Sequence, residues 1–339
     1  MDRISIIGAG AWGTALAMVA RRAGRRVTLW AREPEVIEAV NASHANPLFL
    51  PGVALDPAIR ATGALAEEAD AVVLATPAQF TREVASALAT RLGAATPVLI
   101  ATKGIERGTG ALMTEVVRDT LSECPVAVIS GPSFAADVAR DLPTALTVAS
   151  ADAALARRFA ESFTAPRFRA YLSDDVAGVQ IGGAVKNVVA IACGIAIGRA
   201  LGDNARAALL TRGLAEMTRL ALAKGGRAET MLGLAGVGDL TLTCNGTQSR
   251  NLSLGIALGQ GERLADILAR RHSIAEGVAT AASVVELARR LGVEMPIAQA
   301  VDSIVNRGAS IEASIEGLLA RPVSVEAGWA RERSTGPAG

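Results

Sequence analysis

Along the first half of the chain, short β-branched runs alternate with longer stretches whose apolar positions recur every three or four residues. Residues 4–7, 27–30, 71–75, 98–101 and 126–129 read as strands, and residues 146–149 and 168–172 as the last two strands of the same sheet. Residues 14–22, 81–91 and 109–121 carry the helical spacing expected of crossovers that cover a sheet. This alternation predicts a doubly wound α/β unit with a parallel sheet. From about Val176 the strand signals stop. The remainder is rich in Ala, Leu and Arg at helical spacing, broken near Gly225, Gly246 and Gly259, and predicts an all-helical second unit. The expected division is 1–178 and 179–325, followed by a polar tail, 326–339, expected to be disordered.

Composition narrows what such a chain does. Of 339 residues, half are apolar and a fifth charged, enough to bury two domain-sized cores. With 34 basic against 33 acidic side chains and 3% aromatics, the chain lacks the positive field and the stacking surface of a nucleic-acid binder, so the expected partner is a small molecule. Cys124, Cys193 and Cys244 are widely spaced and read as buried, reduced thiols of a cytoplasmic protein. The two histidines, His44 and His272, lack ligand spacing, so no metal site is expected. The N-terminal apolar run is too short for a secretory signal, and residues 176–197, interrupted by Lys186 and glycines, read as a buried core helix with no membrane association expected.

Two features carry chemistry. Gly8-Ala9-Gly10-Ala11-Trp12-Gly13 fits the G-x-G-x-x-G pattern directly after the first strand and at the opening of a helix. In that context Gly8 permits the tight turn, Gly10 lets backbone N–H groups approach a pyrophosphate, and Gly13 lets helix and strand pack closely, which makes the first domain Rossmann-like. Past the second strand stands Ala31-Arg32-Glu33. Arg32 favours the 2′-phosphate of NADP(H), Glu33 keeps NAD(H) open, and the plain alternative is that Arg32 is a solvated loop charge. The second feature is Lys186-Asn187 inside the apolar stretch 178–189. Burial disfavours an ammonium and lowers its pKa toward the range useful for acid–base catalysis. The competing view is a snorkelling lysine whose stem packs while its head reaches water.

From about residue 4 to about residue 319 the chain also resembles the bacterial-type NAD(P)-dependent glycerol-3-phosphate dehydrogenases. The blocks that carry the resemblance, in that family's order, are 8–17, 46–52 (N-P-L-F-L-P-G), 102–106 (T-K-G-I-E), 130–135 (S-G-P-S-F-A), 182–187, 236–243 (G-V-G-D-L-T-L-T), 249–251 and 276–277. The resemblance implies that Lys186 is the acid/base and that Lys103 and Asp239 flank it, with Asn187 and Thr243 completing a polar cup. It further implies substrate contacts from Gly131 and Ser133, and a phosphate clamp of Ser249, Arg250 and Asn251. Cofactor contacts are implied for Gly8, Gly10, Ala11, Trp12, Gly13, Arg32, Lys103, Ala135, Arg250, Ile274 and Glu276. The implied reaction is reversible reduction of dihydroxyacetone phosphate to sn-glycerol 3-phosphate for glycerophospholipid synthesis, by a homodimer.

Two departures from the family's pattern bear on cofactor binding: Ala11 replaces the usual serine, and Thr76-Pro77-Ala78 differs on both sides of its proline. Two other readings compete. Hydroxyacid and 6-phosphogluconate dehydrogenases also use a buried lysine, but with an asparagine four residues later, where this chain has Ala190. A non-catalytic NADP-binding sensor would keep the glycines, with no reason to retain Lys103, Lys186, Asp239 and Arg250.

Overall fold

The computed structural model of the protein describes residues 1–65, 69–93, 95–270 and 276–322. Its strands are β1 (Arg3–Ile7), β2 (Arg26–Trp30), β3 (Ala45–Asn46), β4 (Leu50–Ala54), β5 (Arg60–Thr62), β6 (Ala71–Leu74), β7 (Val98–Ile100), β8 (Val126–Ser130), β9 (Thr144–Ala149) and β10 (Phe168–Ser173). Strands β3 and β4 form a separate antiparallel pair, and the rest make one sheet in the order β5-β2-β1-β6-β7-β8-β9-β10. The chain starts in the middle of this sheet and winds outward both ways. The strand order therefore reverses between β1 and β6, and a crevice opens there at the carboxyl ends of the strands.

Among the described residues six α-helices accompany the sheet: α1 (Ala11–Arg22), α2 (Pro34–Ser43), α3 (Thr81–Leu88), α4 (Met113–Thr120), α5 (Ala135–Ala139) and α6 (Ala153–Phe163). Because side chains alternate across a strand, Ile4 and Ile6 pack with Leu16, Val19 and Phe159 on one face. On the other face Ile7, Val72 and Leu74 pack with Leu88, Val116 and Val117.

The expected parallel sheet is found, with one exception: β8 and β9 pair antiparallel. Their connection, residues 131–143, holds only the short helix α5, so the chain turns back at the same end of the sheet instead of crossing its length. Two helix starts also differ from expectation. Helix α1 begins at Ala11 rather than Thr14, and α4 at Met113 rather than Thr109, because Gly108 and Gly110 take φ of +81° and +68°, outside helical geometry.

From Val176 on, the described residues contain helices and no strand: α7 (Val176–Gly198), α8 (Gly202–Ala223), α9 (Ala228–Met231), α10 (Asp239–Asn245), α11 (Arg250–Gly259), α12 (Leu264–Ala269), α13 (Glu276–Arg290), α14 (Pro296–Arg307) and α15 (Ile311–Leu319). Asp175 starts α7 by accepting the Gly178 N–H at 2.8 Å, and it also accepts the Arg227 N–H at 2.8 Å. Helix α7 is apolar on all sides and buried, as suits a helix ringed by others. It is long and apolar enough to cross a bilayer, but 89% of its most apolar window lies inside the protein. Ile181, Val185 and Ile191 pack there with Met217, Leu220, Leu252 and Val284. All three cysteines are free thiols; Cys193 and Cys244 are buried, whereas Cys124 is only half-buried, which corrects that expectation. The expected tail, 326–339, lies outside the described residues.

Candidate active site

The crevice is first of all a backbone cradle. Gly8 leaves β1 with φ +118°, and a Cβ there would sit 2.7 Å from the Ala75 carbonyl oxygen. A Cβ on Gly13 would run into the Gly8 carbonyl oxygen, so a side chain there would push the helix off the turn. Gly10 caps α1 without a side chain, and nothing lies within 4 Å of where its Cβ would be. The first N–H groups of α1, starting at Ala11 and Trp12, thus meet the crevice with no side-chain cap. That is the donor set and the positive dipole end a pyrophosphate requires, and the residues present fit a dinucleotide. Arg32, two residues past the end of β2, is exposed, with its guanidinium 3.2 Å from Glu33.

Beside the cradle sits a charge cluster assembled from both halves of the chain. Lys103 comes from the loop after β7, Lys186 from α7, and Asp239 and Thr243 from α10, one turn apart. The buried Asp239 carboxylate lies between the two ammonium groups. Its Oδ1 accepts from Lys186 Nζ and its Oδ2 accepts from Lys103 Nζ at 2.8 Å. Lys186 Nζ also donates to Thr243 Oγ1 at 3.0 Å, and that hydroxyl donates to the Asp239 backbone oxygen at 2.7 Å. Burial lowers the Lys186 pKa from 10.5 to about 8; the carboxylate of Asp239 opposes the drop and the positive Lys103 adds to it. With Lys186 buried and its head bonded to Asp239 and Thr243, the snorkelling view does not hold.

Further groups ring the cluster. Lys103 Nζ donates to the Gly131 carbonyl at 3.2 Å, which also takes the Ser133 hydroxyl at 2.8 Å, and it lies 6.0 Å from the centre of the Trp12 ring. Cradle and cluster therefore face one crevice. Asn187 accepts from Asn251 Nδ2 at 3.0 Å, and Asn251 Oδ1 accepts the Gly277 N–H at 3.2 Å. Arg250 is exposed at the first position of α11. Ser249 is the cap of that helix, its hydroxyl accepting the Leu252 N–H at 3.2 Å. Burial raises the pKa of Glu276, against the pull of Arg250, Lys103 and Lys186, which places all four in one electrostatic field. Ala135 opens α5, which packs on α1. Ile274 lies outside the described residues.

The chain matches the family model for the N-terminus of NAD-dependent glycerol-3-phosphate dehydrogenase over residues 3–156 and the model for its C-terminus over residues 175–316. It belongs to this family. It is similar to the glycerol-3-phosphate dehydrogenase [NAD(P)+] of Rhodospirillum rubrum, 55% identical over 97% of this chain and 95% of that protein. The Parvibaculum lavamentivorans protein of the same name is 53% identical over 96% of this chain and 98% of that one. Among solved structures, glycerol-3-phosphate dehydrogenase from Coxiella burnetii superposes with a TM-score of 0.91 at 39% identity, covering 94% of this chain and 99% of that one.

Within this glycerol-3-phosphate dehydrogenase frame, one supporting residue had no legible job in the sequence. Asn46 is fully buried, and its Nδ2 donates to the Ala9 carbonyl at 2.8 Å and to Thr14 Oγ1 at 2.9 Å. Thr14 in turn donates to Ala9 at 3.1 Å. These bonds clamp the glycine turn from behind, so the 46–52 block acts on the cofactor cradle. Only tertiary folding brings Asn46 there, 37 positions from Ala9. The pairing of Asn187 with Asn251 was equally invisible from spacing.

Proposed function

We propose that this dehydrogenase interconverts dihydroxyacetone phosphate and sn-glycerol 3-phosphate with NAD(P)H as reductant. The observation that carries the reading is the Lys186–Asp239–Lys103 cluster, buried beside an uncapped dinucleotide cradle in one crevice. The α1 N-terminus, with Trp12, Arg32 and Glu276, would hold NAD(P)H, which when bound would supply the hydride for C2. Lys186 donates the proton to the C2 oxygen and takes it back in the reverse direction, a role suited to an ammonium with a pKa of about 8. Asp239 orients that ammonium and Lys103 stabilises negative charge developing on the oxygen. Arg250, with Asn251, Gly131 and Ser133, receives the phosphate end, where a planar guanidinium bonds two phosphate oxygens at once.

This reading includes the division into 1–178 for the cofactor and 179–325 for substrate and catalysis, just inside α7. It also places the chain in the cytoplasm as a homodimer that supplies glycerophospholipid synthesis. The test is loss of NADPH absorbance on adding dihydroxyacetone phosphate, with the product identified by mass spectrometry. Turnover giving glycerol 3-phosphate supports the proposal. Turnover of 2-hydroxyacids or 6-phosphogluconate but not of this ketone would transfer the chain to the sister class, which the absence of an asparagine at Ala190 already disfavours.

A further inference from the structure

Ser130 ends β8 with a hydroxyl that is buried and has no protein hydrogen-bond partner among the described residues. Buried hydroxyls in folded proteins are nearly always bonded, to protein or to an ordered water. Ser130 lines a cavity of about 10 Å³ together with Thr102, Lys103, Gln180 and Gly183. That is about the space one water occupies. The cavity lies where the carboxyl ends of β7 and β8 meet α7, behind the stem of Lys103. A Cβ at Gly183 would come 2.6 Å from Ser130 Oγ and 3.6 Å from Lys103 Cγ, so glycine keeps this space open. Gly183 precedes Lys186 by about one helical turn. Gln180, a further turn back, ties α7 to α4: its Nε2 donates to Thr114 Oγ1 at 2.9 Å and its Oε1 accepts the Thr114 N–H at 3.0 Å. That carbonyl oxygen has a second lone pair to offer. Thr102 donates its own hydroxyl hydrogen to the Thr76 carbonyl at 2.8 Å and likewise can still accept.

We propose that this cavity is a site for one structural water and that Ser130 is a positioning residue for the reaction proposed above, on which this inference rests. The water accepts from the Ser130 hydroxyl and donates to Gln180 and Thr102. It thereby joins the ends of β7 and β8 to α7 just before Lys186, and holds the Lys103 and Lys186 stems in the register that lets both ammonium groups reach one carboxylate. Loosening that register withdraws the positive Lys103 from Lys186, so the lysine's pKa rises toward its ordinary value.

The test pairs a high-resolution crystal structure of the whole protein with kinetics of Ser130→Ala. The expected structure has density for a single water within hydrogen-bonding distance of Ser130 Oγ. The variant should keep its melting temperature and NADPH affinity while its turnover falls about tenfold, a modest share of what misplacing a catalytic group costs. The pH midpoint of its turnover should move upward. Absence of that density overturns the site. A variant with unchanged turnover and pH midpoint, or one that only melts earlier, overturns the positioning role. If the wild-type protein does not turn over dihydroxyacetone phosphate at all, the functional reading fails, and the density still decides the water site.

Discussion

A lysine in an apolar helix is an energetic anomaly, and at the scale of single residues that is why Lys186 was legible in the sequence. Its partners came only from the family resemblance, which named Lys103, Asp239 and Thr243. Asp239 alone reads equally well as a first-turn residue of a helix, which it also is, and only the fold shows its carboxylate shared by two ammonium groups. Asn46 and Ser130 stand in blocks that carry the resemblance, but their roles were not readable, because their contacts lie with segments distant in sequence. The depressed Lys186 pKa has a direct consequence. Reduction needs the protonated lysine and oxidation the neutral one, so turnover should fall for ketone reduction, and rise for alcohol oxidation, as pH increases through about 8. Coincident profiles in the two directions would remove Lys186 from the proton transfer. At the phosphate end, Arg250→Ala should raise KM for dihydroxyacetone phosphate by about tenfold or more while changing that for unphosphorylated dihydroxyacetone little, since a charge-assisted bidentate contact is lost only where there is a phosphate. Equal penalties on both substrates would take Arg250 out of the clamp.

At the scale of elements, periodicity was informative where an element is long and repetitive, as in β1, β2, α1 and α7. It failed where geometry is decided by a turn or by tertiary contacts. The short strands β3 and β5 are too brief to show alternation, and the antiparallel β9 depends on which end of the sheet the chain returns to. One connection between elements yields a prediction independent of catalysis. Glu216 of α8 is buried and accepts the Ile297 and Ala298 N–H groups at the start of α14, at 2.7 and 3.2 Å. Burial pushes its pKa up to about 7 against those bonds and the nearby Arg219 and Arg212. Between pH about 4.5 and about 7 the folded chain holds a proton that the unfolded chain has released, so stability from this group declines as pH rises through that window and levels off above it. Glu216→Gln removes the titration. The melting temperature of the variant relative to the wild type should therefore climb across that window, by an amount corresponding to roughly 3 kcal/mol at most. A constant difference across the window would show that Glu216 keeps an ordinary pKa.

At the scale of the whole molecule, the α/β unit and the helical unit were both legible from the change in periodicity near Val176, but the way they cooperate was not. Helix α7 packs Val179 against the sheet-side core and Ile181 and Val185 into the helical core, so the helix that carries the acid is seated in both. In the proposed reading the cofactor's adenosine end would lie on the sheet side, past the end of β2. Arg32→Ala should weaken NADPH more than NADH, because only the former presents a 2′-phosphate; equal losses would leave Arg32 a solvated charge. The central claim is that the α/β unit binds the cofactor while a lysine from the helical unit supplies the proton, and the Lys186→Met variant separates the two. Methionine roughly keeps the apolar stem and removes a buried charge, so the fold should persist. Measured side by side, wild type and variant should bind NADPH with equal affinity, while the variant's turnover of dihydroxyacetone phosphate falls by about a hundredfold or more. Near-normal turnover in a folded Lys186→Met protein would contradict the account.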